Sequence, residues 1–229
     1  AAGLLKEELR LLNSLVIKCA DKCRVPAGGA LAVDREKFSA MVTEKVLNHP
    51  LINFISHEVE KIPRENITII AAGPLASESI SKGISELCSG ELSFFDAAAP
   101  ILTAESIDMN EAFFQSRYDK GDGNDYLNCP LSEEEYKEFY EALISAERAP
   151  IHGFDIADPK VYEGCMPVEV MAGRGIDTLR FGPMKPVGLR NPKTGKRPFA
   201  VIQLRKEDSE GTLYNMVGFQ TNLKFGEQK

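Results

Sequence analysis

Cys165 is the side chain with the most reactive chemistry in this sequence. It stands in the word EGCMP, between Gly164 and a Met-Pro pair. A thiolate is a strong nucleophile, and neighbouring cations lower its pKa and raise the fraction ready to attack. A basic segment begins fifteen positions further on, at Arg180. Taken alone, a single Cys in a β-rich stretch is usually a small buried hydrophobe. The other cysteines, Cys19, Cys23, Cys88 and Cys129, sit in strongly periodic or turn settings. Cys19 and Cys23 are one helical turn apart, a spacing that suits a metal, yet no second pair or nearby His completes a site. Five scattered cysteines do not form a disulfide framework, so reduced thiols in a cytoplasmic protein are expected. His49, His57 and His152 show neither triad nor metal spacing, and Glu133, Glu134 and Glu135 read as one solvated helix face.

The second chemical feature is charge. The chain carries a net −7, which argues against indiscriminate binding to nucleic acid. Yet Arg180, Lys185, Arg190, Lys193, Lys196, Arg197, Arg205 and Lys206 fall in one stretch that contains no Asp or Glu. Such segregation fits a face that binds a polyanion, or equally a solvated hairpin with a cationic tip. Tyr118, Lys120 and Tyr126, around a Gly-rich turn, could stack on and pair with a nucleic acid, or be ordinary hairpin residues. A third feature is NITIIAAGPLASES, a strand-turn-helix pattern of the kind that brings a strand end and a helix N-terminus to a nucleotide or flavin. The G-x-G-x-x-G fingerprint of dinucleotide binding is absent, so this polypeptide alone is expected to hold FAD weakly or not at all.

These residues need elements to hold them. Leu4, Leu5, Leu9, Leu12, Leu15 and Val16 recur at helical spacing over 4–22, and Phe38, Met41, Val42 and Val46 do so in a second helix that stops at Pro50. EVEKI (58–62) and NITIIAAG (66–73) read as strands, the latter apolar enough to lie buried in a parallel sheet. A helix follows at SESISKGISELC, and LSFFDAAAPI contains a short strand. FFQSRYDK and YLNCPL flank a Gly- and Asp-rich turn and form a hairpin. Ser132 and Glu135 make a capping box that opens the next helix. Beyond Pro150, VYEGCMPVEVM, IDTLRFGP, PFAVIQLR and TLYNMVGFQT all read as strands, with turns at PKTGKRP and KEDSEG. The layout is α/β at the start and α+β afterwards, with a boundary within 75–100. No apolar run approaches the ~20 residues of a membrane-spanning helix. The N-terminus lacks an initiator Met and a secretory signal, and opens inside a helical pattern, so an internal fragment is expected.

Several of these words resemble one family when taken in order. VPAGGALAVDREKFS, ITIIAAGPLAS, FFDAAAPI, SIDMNEAFFQSRYDKG, YLNCPLSEEEYKEFYEALISAE, YEGCMPVEVMAGRG, LRFGPMKPVGL, KTGKRPFAVIQLR and TLYNMVGFQTNLKFGEQK are similar to the methylenetetrahydrofolate-dependent tRNA uracil-5 methyltransferases. That group is related to glucose-inhibited division protein A. The resemblance covers essentially the whole chain, and GCMPVEVMA and RFGPMKPVGL are its most specific parts.

The resemblance implies an FAD-binding Rossmann-type domain interrupted by a mixed, largely antiparallel insertion domain with helices. On that basis residues 1–90 belong to the FAD-binding domain, 91–218 to the insertion domain that meets tRNA, and 219–229 return toward the first. The implied reaction methylates carbon five of a T-loop uridine. Methylenetetrahydrofolate gives the carbon, NADPH or NADH the electrons, and reduced flavin carries the methylene unit. The family's nucleophilic Cys falls on Cys165, and its flavin-side word falls on Ala71, Ala72, Gly73 and Pro74. Ala72 departs from the Thr usual there. The folate pterin is implied near Asn222, where some relatives carry His, and Arg180, Lys185, Arg190 and Arg205 are the implied tRNA contacts. The family's second functional Cys lies upstream of this sequence, so activity from these residues alone is not expected. Two other readings compete: a wobble-uridine-modifying flavoprotein of the division protein A group, which lacks the GCMP and FGPMKP words, and a non-enzymatic tRNA-binding module.

Overall fold

A computed structural model describes residues 2–73, 76–87, 98–119, 121–149 and 166–228. Its centre is an antiparallel five-stranded sheet in the order β3-β7-β6-β5-β4, built from β3 (Ile101–Thr103), β4 (Phe113–Phe114), β5 (Leu127–Leu131), β6 (Ala200–Lys206) and β7 (Leu213–Met216). The expected hairpin of 113–131 is present, with Phe113 opposite Asn128. The turn at KEDSEG joins β6 to β7, placing Leu204 opposite Met216.

One face of the sheet is covered by α5 (Glu133–Ser145), α6 (Val168–Ala172) and α7 (Thr178–Phe181). The capping box opens α5 as expected: Ser132 Oγ accepts from the Glu135 amide at 3.2 Å, while Glu135 accepts from the Ser132 amide at 2.7 Å. Tyr136, Phe139, Tyr140 and Leu143 recur at helical spacing along α5 and pack with Val168, Ala172, Leu179, Met184 and Phe219. A second cluster, Ala112, Leu127, Leu204 and Tyr214, lies within the same sheet.

The N-terminal part is helical. The 4–22 helix divides into α1 (Ala2–Leu11) and α2 (Leu15–Lys22), because Asn13 takes the left-handed conformation (φ 61°) and Ser14 caps the second segment. A short antiparallel pair, β1 (Arg24–Val25) and β2 (Ala32–Val33), leads into α3 (Arg35–Leu47), along which Phe38, Met41, Val42 and Val46 are half-buried. α4 (Glu78–Leu87) forms where SESISKGISELC predicted a helix.

Four strand expectations are corrected. PVEVM and TLRF form the short helices α6 and α7. Met171 donates to the Pro167 carbonyl at 2.9 Å and Phe181 to Asp177 at 3.2 Å, so these amides close helical turns instead of a ladder. The β-branched valines of 168 and 170 favour a strand locally, but Val168, Glu169 and Ala172 are the buried set and share a helical face. Residues 58–62 and 66–73 also form no strand among the described residues. Ile67 is 100% and Ile69 88% exposed, so nothing among the described residues buries this stretch. The short strand expected in LSFFDAAAPI falls largely outside the described residues, although Ala98 bridges to Thr221.

The N-terminal helices meet the sheet's loops at two points. The Gly28 amide donates to the Asp125 carboxylate, and the Tyr126 hydroxyl donates to the Ala27 carbonyl at 2.8 Å. Gly121 (φ +70°) sits in this junction, where a Cβ would fall 2.8 Å from the Gly28 Cα. Asp34 caps α3 through the Lys37 amide at 3.0 Å and also accepts from the Ser209 amide at 3.1 Å in the β6–β7 turn.

Candidate functional site

The basic segment folds into a loop that the β4–β5 hairpin holds from beneath. Arg117 lies part-buried, and its guanidinium donates to the backbone carbonyls of Lys185 and Val187, the latter at 2.9 Å. Its Nε meets Gln203 Oε1 at 3.3 Å, and Gln203 in turn donates to Asn128 Oδ1 at 3.1 Å. Asn128 is fully buried in the sheet and donates to the carbonyls of Phe113 and Gln115. A buried polar chain thus runs from the sheet centre to the basic loop, with each member satisfied. Gln115 adds a further tie by accepting from the Arg190 amide at 2.9 Å. Burial holds the Arg117 guanidinium below its ordinary pKa, and carbonyl oxygens rather than a carboxylate receive it.

Above this support lies a hollow of about 310 Å³ lined by Arg180, Phe181, Lys185, Pro186, Val187 and Arg197, with Pro198. Arg180 lies 3.7 Å over the ring of Phe199, donates to the Phe199 carbonyl at 3.3 Å and pairs with Asp177 at 2.9 Å. Lys185, Arg190, Lys193, Lys196, Arg197 and Lys206 have no carboxylate in ion-pair range among the described residues. Arg205 does not line this hollow. It lies on β6, where Glu207 takes it at 3.1 Å and also takes Arg35 at 2.8 Å. Of the expected RNA contacts, Arg180 and Lys185 therefore share one hollow and Arg190 is tied to Gln115, whereas Arg205 is neutralised elsewhere. Tyr118 is exposed and packs beneath Gly188, while Tyr126 is half-buried against the Ala27 loop.

Cys165 lies outside the described residues, but the residues that follow it are held tightly. Met166 is buried, and the Val168 amide donates to the Gln220 carbonyl at 2.7 Å. Glu169, 1% exposed, accepts from the Thr221 hydroxyl at 2.9 Å and the Asn222 amide at 2.8 Å. The two words singled out for the nucleophile and the folate side, GCMPVEV and QTN, are thereby joined. Val168 and Thr221 also line a largely apolar hollow of about 360 Å³ with Phe139, Leu143, Met216 and Phe219.

The flavin-side residues stand apart from these. Ala71, Ala72 and Gly73 are exposed, and Pro74 lies outside the described residues. Gly73 has φ +73°, with open space around the position of a Cβ. Among the described residues no hydrogen bond joins this stretch to Asn222 or to the basic loop.

Cys88 lies outside the described residues, and the other described thiols offer no competing nucleophile. Cys19 and Cys23 are buried, and desolvation pushes the Cys129 thiol up to about 11. No group of acidic, His or Cys side chains suited to a metal occurs among the described residues. None of their helices is long and apolar enough to cross a membrane. Sequence reasoning missed Arg117 and Glu169. Both act across long sequence separations, and neither lies in a local pattern that would mark it.

A sequence model of the family described as "Glucose inhibited division protein A" matches residues 1–229. Among curated proteins, Methylenetetrahydrofolate--tRNA-(uracil-5-)-methyltransferase TrmFO of Acetivibrio thermocellus is 60% identical over 230 residues, covering 100% of this chain and 52% of the relative. Proteins of the same name from Listeria welshimeri and Staphylococcus carnosus are each 59% identical with the same coverage. The chain thus spans about half the length of the curated relatives it matches.

Proposed function

Because the chain belongs to the glucose inhibited division protein A family, we infer that it is part of a flavin- and folate-dependent enzyme that methylates carbon five of a tRNA uridine. The observation that carries this reading is the 60% identity across the whole chain to a relative named for that activity. The basic loop supports it, because unpaired Lys and Arg side chains around a hollow are what a phosphate backbone requires. The GCMP and FGPMKP words favour it over a wobble-uridine flavoprotein.

In this reading the Cys165 thiolate attacks carbon six of the uracil ring and forms a carbon–sulfur bond. Electron density then moves to carbon five, which takes the one-carbon unit. Loss of the proton on carbon five breaks the carbon–sulfur bond and returns the thiolate. Lys185 and Arg197 hold RNA phosphates near the ring, Arg180 lines the same hollow, and the uridine leaves its loop to reach the thiol. When bound, a reduced flavin supplies the electrons that convert the folate-derived unit into a methyl group, with NADPH or NADH as their source. Gly73, open at its Cβ position, suits a close approach by the flavin, together with Ala71, Ala72 and Pro74. Asn222 serves the folate side.

Residues 1–90 form part of the FAD-binding Rossmann-type domain, 91–218 the insertion domain and 219–229 the return. The exposed isoleucines of 67 and 69 support this, being suited to a parallel strand whose partners lie in the rest of a longer protein. The compartment is the cytoplasm, where thiols stay reduced.

The test is to incubate the full-length protein with tRNA, methylenetetrahydrofolate and a nicotinamide reductant, and to map the product. Methyl groups at carbon five of a T-loop uridine are the expected result. Modification at the wobble position would instead assign the enzyme to the other branch of the family, and tRNA binding without modification would leave a binding module.

A further inference from the structure

Glu169 is almost fully buried, yet among the described residues it has no cationic partner. Burying a carboxylate is costly unless its oxygens are hydrogen-bonded, and a neutral side chain could close the same turn at lower desolvation cost. Both oxygens are engaged, and both engagements converge on one turn. Oε2 accepts from the Thr221 hydroxyl at 2.9 Å and Oε1 from the Asn222 backbone amide at 2.8 Å. Thr221 Oγ1 then accepts from the Leu223 amide at 3.2 Å. Neighbouring backbone completes the hold: the Thr221 amide donates to Ala98 at 3.0 Å, and the Ala149 amide to the Asn222 carbonyl at 2.7 Å. Every backbone group of Asn222 is therefore fixed, while its side-chain carboxamide makes no hydrogen bond among the described residues. A rigid backbone presenting an uncommitted carboxamide is the arrangement of a ligand-reading residue, and charge-assisted bonds give the support its direction.

We propose that Glu169 is a positioning residue that fixes Asn222 for the nitrogen-rich ring of the folate donor. This rests on the functional reading above. Glu169 touches no substrate and acts only through the turn it holds.

The test measures steady-state kinetics of the full-length enzyme, varying donor and tRNA separately, for wild type, Glu169→Ala and Glu169→Gln. The Ala variant is expected to raise the KM for methylenetetrahydrofolate about tenfold or more, with the KM for tRNA changed less than about threefold. The Gln variant can still offer an oxygen to the Asn222 amide and an N–H to Thr221, so it restores the donor KM to within about threefold of wild type. A folded Ala variant with an unchanged donor KM overturns the proposal, as do equal rises in both KM values that Gln does not repair. Should the Ala variant fail to fold, Thr221→Val removes one of the two contacts in a similar shape. A donor KM raised about threefold then supports the proposal, and an unchanged one overturns it. If wild type itself methylates no tRNA, the functional reading fails and the inference falls with it. If wild type is active and the variants are indistinguishable from it, only the positioning role fails.

Discussion

Arg117 donates to the Val187 carbonyl at 2.9 Å, across 70 residues of sequence, and so anchors the loop on which Lys185 and Arg190 stand. The anchor and the cations it supports separate experimentally. Lys185 and Arg197 line the open hollow, whereas Arg117 spends its donors on the protein. In the full-length protein, Lys185→Ala and Arg197→Ala should each weaken tRNA binding and reduce the slope of log K against log salt by about one. Arg117→Ala should weaken binding about tenfold with the slope unchanged, because it loosens the loop without removing a phosphate contact. Filter binding from low to moderate salt reads both effects. A slope near zero for the wild type would remove the phosphate contacts altogether.

Thiol reactivity follows from burial. Cys129 is held up to about 11, so at pH 7.5 it stays protonated and reacts slowly with iodoacetamide. Its labelling should rise as the pH climbs toward 11 and should become fast at neutral pH only in denaturant. Peptide mapping after timed alkylation checks this. Rapid labelling of Cys129 in the native protein at pH 7.5 would contradict the buried site.

The junction between α3 and the β6–β7 turn predicts an acid sensitivity. Asp34 accepts from the Lys37 amide and from Ser209, which lowers its carboxyl from the ordinary 3.8 to about 2. A depressed folded value contributes stability that is fully present above about 3.8 and is lost as pH falls toward 2. Asp34→Ala should therefore lower the melting temperature at pH 7 by about 2–4 °C, as loss of one helix cap would in a chain of this length. The difference should shrink as the two proteins are compared at successively lower pH below 4. Melting curves by circular dichroism measure it, and a gap that stays constant down to pH 2 would sink the assignment.

How far the sequence reveals the fold depends on how local each determinant is. The capping box at Ser132 and Glu135 and the hairpin around 113–131 are short-range patterns, and both appear as read. The sequence of 168–172 and 178–181 suggests strands because each helix is too short to display a helical period, and valines weigh toward strand. Their conformation is decided by packing on α5 and by Glu169 reaching a turn more than fifty residues away. The stretch 66–73 reads as a buried strand because its composition suits one. Exposure of Ile67 and Ile69 shows that burial depends on neighbours that composition alone does not supply. At the site, the basic run was visible as a run. That Arg205 leaves it to pair with Glu207 is set at the end of β6, where Glu207 follows directly after the strand's last residue, Lys206.

If one thiol, Cys165, attacks the uracil ring, a single substitution stops the reaction. Full-length Cys165→Ala and Cys129→Ala proteins are incubated with tRNA, methylenetetrahydrofolate and reductant, and methyl incorporation is followed over time. Cys129→Ala should methylate tRNA at close to the wild-type rate, and Cys165→Ala should form no 5-methyluridine while still binding tRNA. Methylation by Cys165→Ala at an undiminished rate would contradict the account.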